Sequence, residues 1–141
     1  MRILCGTILA GVVGLSLAAE VLKTVDGKVE LVKAEKVHAA IRGTKCGVYD
    51  LLAPKGANVR ITVDGKVTRE SCPRFDSYCW YTRLAPLWVF DGEEGEHSVE
   101  IEVLANQPDR TLVKKEPTDM SKYDGTWFQP CQVMVVGDVV R

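Results

Sequence analysis

Apolar and polar residues alternate at period two along most of the chain. Val37, Ala39 and Ile41 share one parity, with Lys36, His38, Ala40 and Arg42 between them. Val59, Ile61 and Val63 alternate with Arg60 and Thr62, and Val99, Ile101 and Val103 with Ser98, Glu100 and Glu102. Successive side chains of a strand point to opposite faces, so this pattern predicts half-buried strands over 36–42, 58–63 and 97–104. Gly43 ends the first run, and a further strand over 46–52 closes at the loop Pro54-Lys55-Gly56.

Two Asp-Gly steps predict tight hairpins, because both central residues of such a turn need positive φ. Asp26-Gly27 precedes a strand over 29–34, and Asp64-Gly65 joins 58–63 to 66–70. The hexapeptide T-V-D-G-K-V spans both steps, at 24–29 and 62–67, and is read as one hairpin solution used twice.

Residues 75–84 are densely aromatic. Tyr78, Trp80, Thr82 and Leu84 share one parity, and Ser77, Cys79, Tyr81 and Arg83 the other, which predicts a central strand. After Pro86, 87–90 reads as a short edge strand and 91–96 as an acidic turn. Residues 105–130 read as a long irregular loop, and 131–140 as a last strand with Val133, Val135, Gly137 and Val139 on one face. No segment after residue 20 has helical periodicity. About seven to nine short antiparallel strands punctuated by turns predict an all-β protein, a β-sandwich, with an open barrel as the alternative.

The first residues change where this fold is placed. Arg2 precedes an apolar run over 3–17, and Leu17, Ala18 and Ala19 follow as small or apolar residues at a cleavage point. This is the pattern of a secretory signal peptide, 1–19, leaving one domain over 20–141 in a secreted or periplasmic setting. No second apolar stretch is long enough to span a membrane once the leader is removed. Lys and Arg number 18 and Asp and Glu 19, with no basic face of the kind that a nucleic-acid partner needs.

Export implies oxidation. Cys5 leaves with the leader, and Cys46, Cys72, Cys79 and Cys131 permit three pairings of two disulfides. Cys72–Cys79 with Cys46–Cys131 is preferred: a small loop and a tie from an early strand to the last. The same cysteines lack a C-x-x-C pair, and His38 and His97 stand apart, so no metal site is assigned.

A resemblance runs through these residues. The stretch I-R-G-T-K-C-G-V-Y-D-L-L-A-P-K-G-A-N-V-R-I-T-V-D-G-K, 41–66, resembles the galactose-binding-like β-sandwich modules attached to exported carbohydrate esterases and SGNH (GDSL-type) hydrolases. Gly43, Thr44, Gly47, Tyr49, Gly56, Val59, Ile61, Asp64 and Gly65 stand in the places of that family's strands and hairpin. F-D-S-Y-C-W-Y, H-S-V-E-I-E-V, Q-P-D, Y-D-G-T-W-F and V-V-G-D-V-V follow in the same order. The resemblance implies a jelly-roll fold and an accessory role, the chemistry belonging to a separate α/β domain. In Gly137-Asp138-Val139 a valine stands where a G-D-S block has its serine.

No catalytic residue is assigned. Ser71, Ser77, Ser98 and Ser121 lie outside any G-x-S-x-G turn, and His97 alone is read as an edge-strand residue rather than a base. Paired carboxylates among Asp76, Asp109, Asp119 and Asp124 are the residual enzymatic reading. No cofactor is expected. Structural calcium on Asp91, Glu93, Glu94 and Glu96 is weighed and set aside, because the spacing lacks an ordered ligand loop.

Binding is the more concrete expectation. A sugar site needs a flat aromatic ring and planar polar groups. Trp127 and Tyr123 in the long loop, with Trp80, Arg83 and Asp76 on the aromatic segment, could line one patch if the loop folds over it. Taken singly, Trp80 and Tyr78 suit a sandwich core and Trp127 suits a loop anchor. The expected function is therefore a noncatalytic module of a carbohydrate-active hydrolase system with a glycan or a hydrolase domain as partner. The alternatives are a structural or protein-interaction module of the cell envelope, and a piece of an SGNH-type esterase without its catalytic domain.

Overall fold

The computed structural model describes residues 2–3, 21–25, 28–32, 36–115 and 119–140. The leader and its cleavage point fall almost wholly outside these residues. The chain is all-β. Its strands are β1 Arg2–Ile3, β2 Val21–Val25, β3 Lys28–Val32, β4 Lys36–Leu52, β5 Asn58–Val63, β6 Lys66–Pro73, β7 Arg83–Val103 and β8 Pro130–Val139. β2 and β3 form a hairpin of their own, and the other six make one antiparallel sheet in the order β1-β8-β4-β7-β5-β6.

Both hairpins expected from Asp-Gly are present. At the β5–β6 turn Asp64 has φ 51° and Gly65 φ 75°, the left-handed pair that a two-residue turn matching the strand twist requires. The described residues of the two T-V-D-G-K-V copies pair alike, Thr24↔Val29 and Val25↔Lys28 in β2–β3 and Thr62↔Val67 and Val63↔Lys66 in β5–β6.

The sheet is built on one long ribbon. β4 has 17 residues and β7 has 21, and they pair from Lys36↔Glu102 to Leu52↔Arg83. The surplus residues of β7 are absorbed at register shifts between Gly43 and Lys45 and between Cys46 and Gly47. Extra residues on one strand bend a ladder and increase its twist. The ribbon therefore turns over on itself. Val37 and Ile41 of its first half, and Cys46, Val48, Leu87 and Val89 of its second, meet in one core with Val59, Ile61, Val99, Ile101, Phe128 and Val135. Residues from both halves line an apolar void of about 10 Å3, large enough for about one water but without polar partners to hold it. The two halves of the sheet thus enclose their core in the manner of a sandwich.

The period-two reading holds where it was clearest: Val37, Ile41, Val59, Ile61, Val63, Val99 and Ile101 are buried. It fails around prolines and acids. Residues 87–90 are not a separate edge strand, and 91–96 is not a turn; both lie inside β7. Pro86 is tolerated there because β5 pairs only with Val99–Val103, so the Arg83–Phe90 stretch has β4 on one side alone. The acids of 91–96 are held in the strand by cross-strand cations, Asp91 by Lys45 and Glu96 by Arg42. Gly43 does not end a strand either. It faces Gly137 across the β4–β8 pair, and a Cβ on either would lie 2.1 Å from a backbone oxygen of the other strand.

The largest correction concerns 75–84. Residues 75–82 form a turn between β6 and β7, not a strand. Asp76 accepts from the Tyr78 amide at 2.8 Å, and the amides of Cys79 and Tyr81 donate to the carbonyls of Asp76 and Tyr78 at 3.1 and 3.4 Å. A carboxylate two residues before an amide offers the backbone a local partner in place of a ladder. The segment consequently does not alternate. Phe75 and Cys79 point inward, while Tyr78, Trp80 and Tyr81 are exposed.

The expected disulfides are also corrected: Cys46, Cys72, Cys79 and Cys131 are free. Cys46 lies opposite Val135, whereas Cys131 is the bulged residue between Gln132 and Pro130, four places along β8. At roughly 3.3 Å of rise per residue this separates them by about 13 Å, far beyond a disulfide's reach. Cys72 packs on the main core, but Cys79 belongs to a second cluster with Leu52, Phe75 and Tyr123.

Candidate functional site

The second cluster supports the exposed turn. Phe75 and Tyr123 meet edge to face at 6.1 Å, Cys79 fills the space beside them, and the Arg110 guanidinium lies 4.3 Å from the Phe75 ring. Arg110 and Tyr123 come from two short 3-10 turns in the long loop, Arg110–Leu112 and Met120–Tyr123. Asp109 and Asp119 begin these turns by accepting from the Thr111 and Ser121 amides at 2.9 and 2.8 Å. Both carboxyls are held below the ordinary range, first by the hydroxyl side chains and then by these amides. The loop therefore does fold back onto the aromatic segment.

A buried ion pair fixes the base of the turn. Arg74, immediately after β6, reaches Asp50 of β4 through two parallel bonds of 2.9 and 2.6 Å. Asp50 is fully buried, and burial pushes its carboxyl up, an effect that Arg74 opposes. Above it, Asp76 and Arg83 form a second pair that closes the turn across its mouth. Burial alone would raise Asp76, but the Arg83 guanidinium and the Tyr78 amide outweigh it and hold the carboxyl down. The Cys79 thiol accepts from the Asp76 amide at 3.3 Å, and burial raises its pKa.

What this frame presents to solvent is a set of three rings. Tyr78, Trp80 and Tyr81 are 45%, 38% and 42% exposed, and the last two stack edge to face at 4.6 Å. The neighbouring strand of loop brings two lysines to them. The Lys114 amide donates to the Ser77 carbonyl at 3.1 Å, anchoring this segment to the turn. The Lys114 ammonium lies 4.6 Å from the Tyr78 ring centre and 3.0 Å from its hydroxyl, which lowers the pKa of that phenol. The Lys115 ammonium lies 4.8 Å from the Trp80 ring centre.

Of the five residues expected in a binding patch, three are brought together here: Trp80, Asp76 and Arg83. Tyr123 lies beneath them, 1% exposed, as part of the support. Trp127 sits at a different place. Its amide donates to the Lys55 carbonyl at 2.7 Å, its carbonyl accepts from the Ala57 amide at 2.9 Å, and its ring is 4.8 Å from the Lys55 ammonium. Tyr81, Lys114 and Lys115 were missed. The signal was Asp76 two residues before Tyr78, which marks a turn and breaks the parity argument.

His97 has a defined place of its own. Its Nδ1 is 2.8 Å from Asp64 at the hairpin turn, and its Nε2 is 3.1 Å from the Glu93 carbonyl. Both partners are acceptors, so the doubly protonated ring satisfies both, and the His97 pKa is raised, chiefly by Asp64. Among the described residues no three His, Cys, Asp or Glu side chains are gathered as a metal-binding set.

No family model matches the chain, and no curated protein matches it. Solved structures do. A two-domain esterase (CEX) active on acetylated mannans is similar to it over 90% of this chain and 34% of that one, at 14% identity and a TM-score of 0.53. The same kind of esterase co-crystallised with mannopentaose aligns over 73% of this chain and 26% of that one, at 15% identity and a TM-score of 0.49. The chain thus spans about a third of the length of the esterase it resembles. At this identity the first likeness is one of fold: the chain is an all-β module built like part of a carbohydrate esterase.

Proposed function

We propose that this protein is a noncatalytic, glycan-binding accessory module of an exported carbohydrate-active hydrolase system, and that the exposed aromatic residues Tyr78, Trp80 and Tyr81 are its binding face. The observation that carries the reading is that three large aromatic side chains are held outward by a turn whose own backbone and carboxylate are internally satisfied. A monomeric fold of this size gains by burying such rings; Tyr and Trp left outward are residues that supply contact area to a ligand. The apolar faces of pyranose rings suit flat aromatic surfaces, and the Asp76–Arg83 pair at the rim offers acceptors and donors to hydroxyls. The fold-level likeness to part of a mannan-active esterase is compatible with that setting.

A panel of soluble polysaccharides in affinity electrophoresis tests the reading. The parent should be retarded by at least one of them, and Trp80→Ala/Tyr81→Ala should lose most of that retardation. Stacking of this kind is worth about 1 kcal/mol per ring, or roughly fivefold in affinity. Retardation unchanged in the double variant, or none with any polysaccharide, would overturn it. Leu84 and Leu112, 56% and 51% exposed, favour a second reading, a docking face for a protein partner. That reading expects loss of complex formation with the partner on Leu84→Ser/Leu112→Ser, with polysaccharide binding absent.

A further inference from the structure

The rings of the binding face are not bare. The Lys114 ammonium lies over Tyr78 and the Lys115 ammonium over Trp80, at 4.6 and 4.8 Å from the ring centres. Among the described residues neither ammonium has a carboxylate partner, while the one carboxylate inside the turn, Asp76, is already taken by Arg83. Among the described residues the local balance at the rings is therefore positive, although the whole chain is almost neutral, with 18 Lys and Arg against 19 Asp and Glu.

This arrangement discriminates between ligands. A neutral sugar that stacks on Trp80 must displace the lysine and lose a cation–π contact worth about 0.5–1 kcal/mol at an exposed site. A sugar bearing a carboxylate gives the displaced ammonium a better partner than the ring it leaves. For such a ligand the lysine would move from the ring face to its edge and hold the acid while the sugar takes the face.

Resting on the glycan-binding reading above, we propose that the Tyr78–Trp80–Tyr81 face selects uronate-bearing polysaccharides, with Lys114 and Lys115 as the residues that determine the charge preference. Both lysines are exposed and outside the two cores, so Lys114→Gln/Lys115→Gln should fold and melt like the parent. The test uses polygalacturonate, its fully methyl-esterified form and neutral galactomannan, each titrated into parent, the lysine double variant and Trp80→Ala/Tyr81→Ala by calorimetry.

The parent should bind polygalacturonate about tenfold more tightly than the esterified polymer, with a preference that shrinks as salt is raised. The lysine variant should bind the two forms alike. Equal affinity of the parent for both forms, or a preference that survives in the lysine variant, would overturn the proposal. If the neutral polymers bind the parent as tightly as polygalacturonate and this binding is lost with Trp80 and Tyr81, the glycan-binding reading stands and the charge selection falls. If no polymer binds, both fall together.

Discussion

At the scale of single residues, two charged pairs do different work. Asp50 and Arg74 are buried together and bonded by two parallel contacts. Removing one member leaves the other ion in the interior without a partner, which typically costs about 3–5 kcal/mol. Asp50→Asn should therefore lower stability by about that amount in urea unfolding. A loss below about 1 kcal/mol would mean that Arg74 finds water or another acceptor. His97 and Asp64 lie at the surface, and their contribution depends on pH. The raised His97 pKa means that its stabilisation is complete below its unfolded value near 6.5 and disappears as pH rises through the folded value. The depressed Asp64 pKa acts in the opposite sense: its stabilisation is present above about 3.8 and is lost as pH falls through the folded value. The pair should thus support the β5–β6 hairpin most strongly between these limits. Thermal melts of parent and His97→Gln across pH 4 to 9 check this, the difference being largest near pH 5 and vanishing at the alkaline end. A difference independent of pH would assign the effect to the Phe90–His97 ring contact, at 4.2 Å, instead.

At the scale of elements, the strands themselves were legible wherever one face was buried and the other wet. β5 and the second half of β7 show this most clearly, and Asp64-Gly65 located the β5–β6 hairpin to the residue. Lengths were not legible. Gly43 and Pro86 read as breaks because each weakens an isolated strand, yet Gly43 is needed for a close crossing and Pro86 lies where β7 has β4 on one side alone. The acidic run 91–96 read as a turn because the basic residues that balance it, Lys45 and Arg42, are about fifty positions away. The same argument explains the candidate site. The aromatic segment was visible as special, but its turn depends on Asp76 and its lysines arrive from Val113–Lys115, beyond any local pattern. The Gly43–Gly137 crossing gives the test at this scale. With a Cβ only 2.1 Å from a facing carbonyl oxygen, Gly137→Ala must push β8 away from β4, and φ 136° adds backbone strain. It should cost about 2–4 kcal/mol, whereas Gly65→Ala, with open space around it, should cost about 1 kcal/mol. Similar losses at both glycines would show that β8 can shift without disturbing the core.

At the scale of the whole molecule, the question is whether the two cores form one cooperative unit. They differ in construction. The main core lies between the halves of the folded ribbon, and the second lies under the aromatic turn, closed by segments of the long loop. They share β4, which gives Val48 to one and Leu52 to the other, with Asp50 between them reaching across to Arg74 at the base of the turn. A turn that could open alone would have to leave that ion pair behind or break it. The free cysteines report on this directly, because each core buries one. Burial pushes the Cys46 thiol to about 11 and raises Cys79 as well, so both should resist alkylation in the native state. Cys131, on the surface of β8, should react first. With increasing urea, Cys46 and Cys79 should become reactive at one midpoint, followed by mass spectrometry of the labelled peptides. Cys79 opening at clearly lower urea would show that the binding face rests on an independently mobile lobe. In Asp50→Asn the two midpoints should separate, Cys79 first, because the ion pair that joins the turn to β4 is then gone.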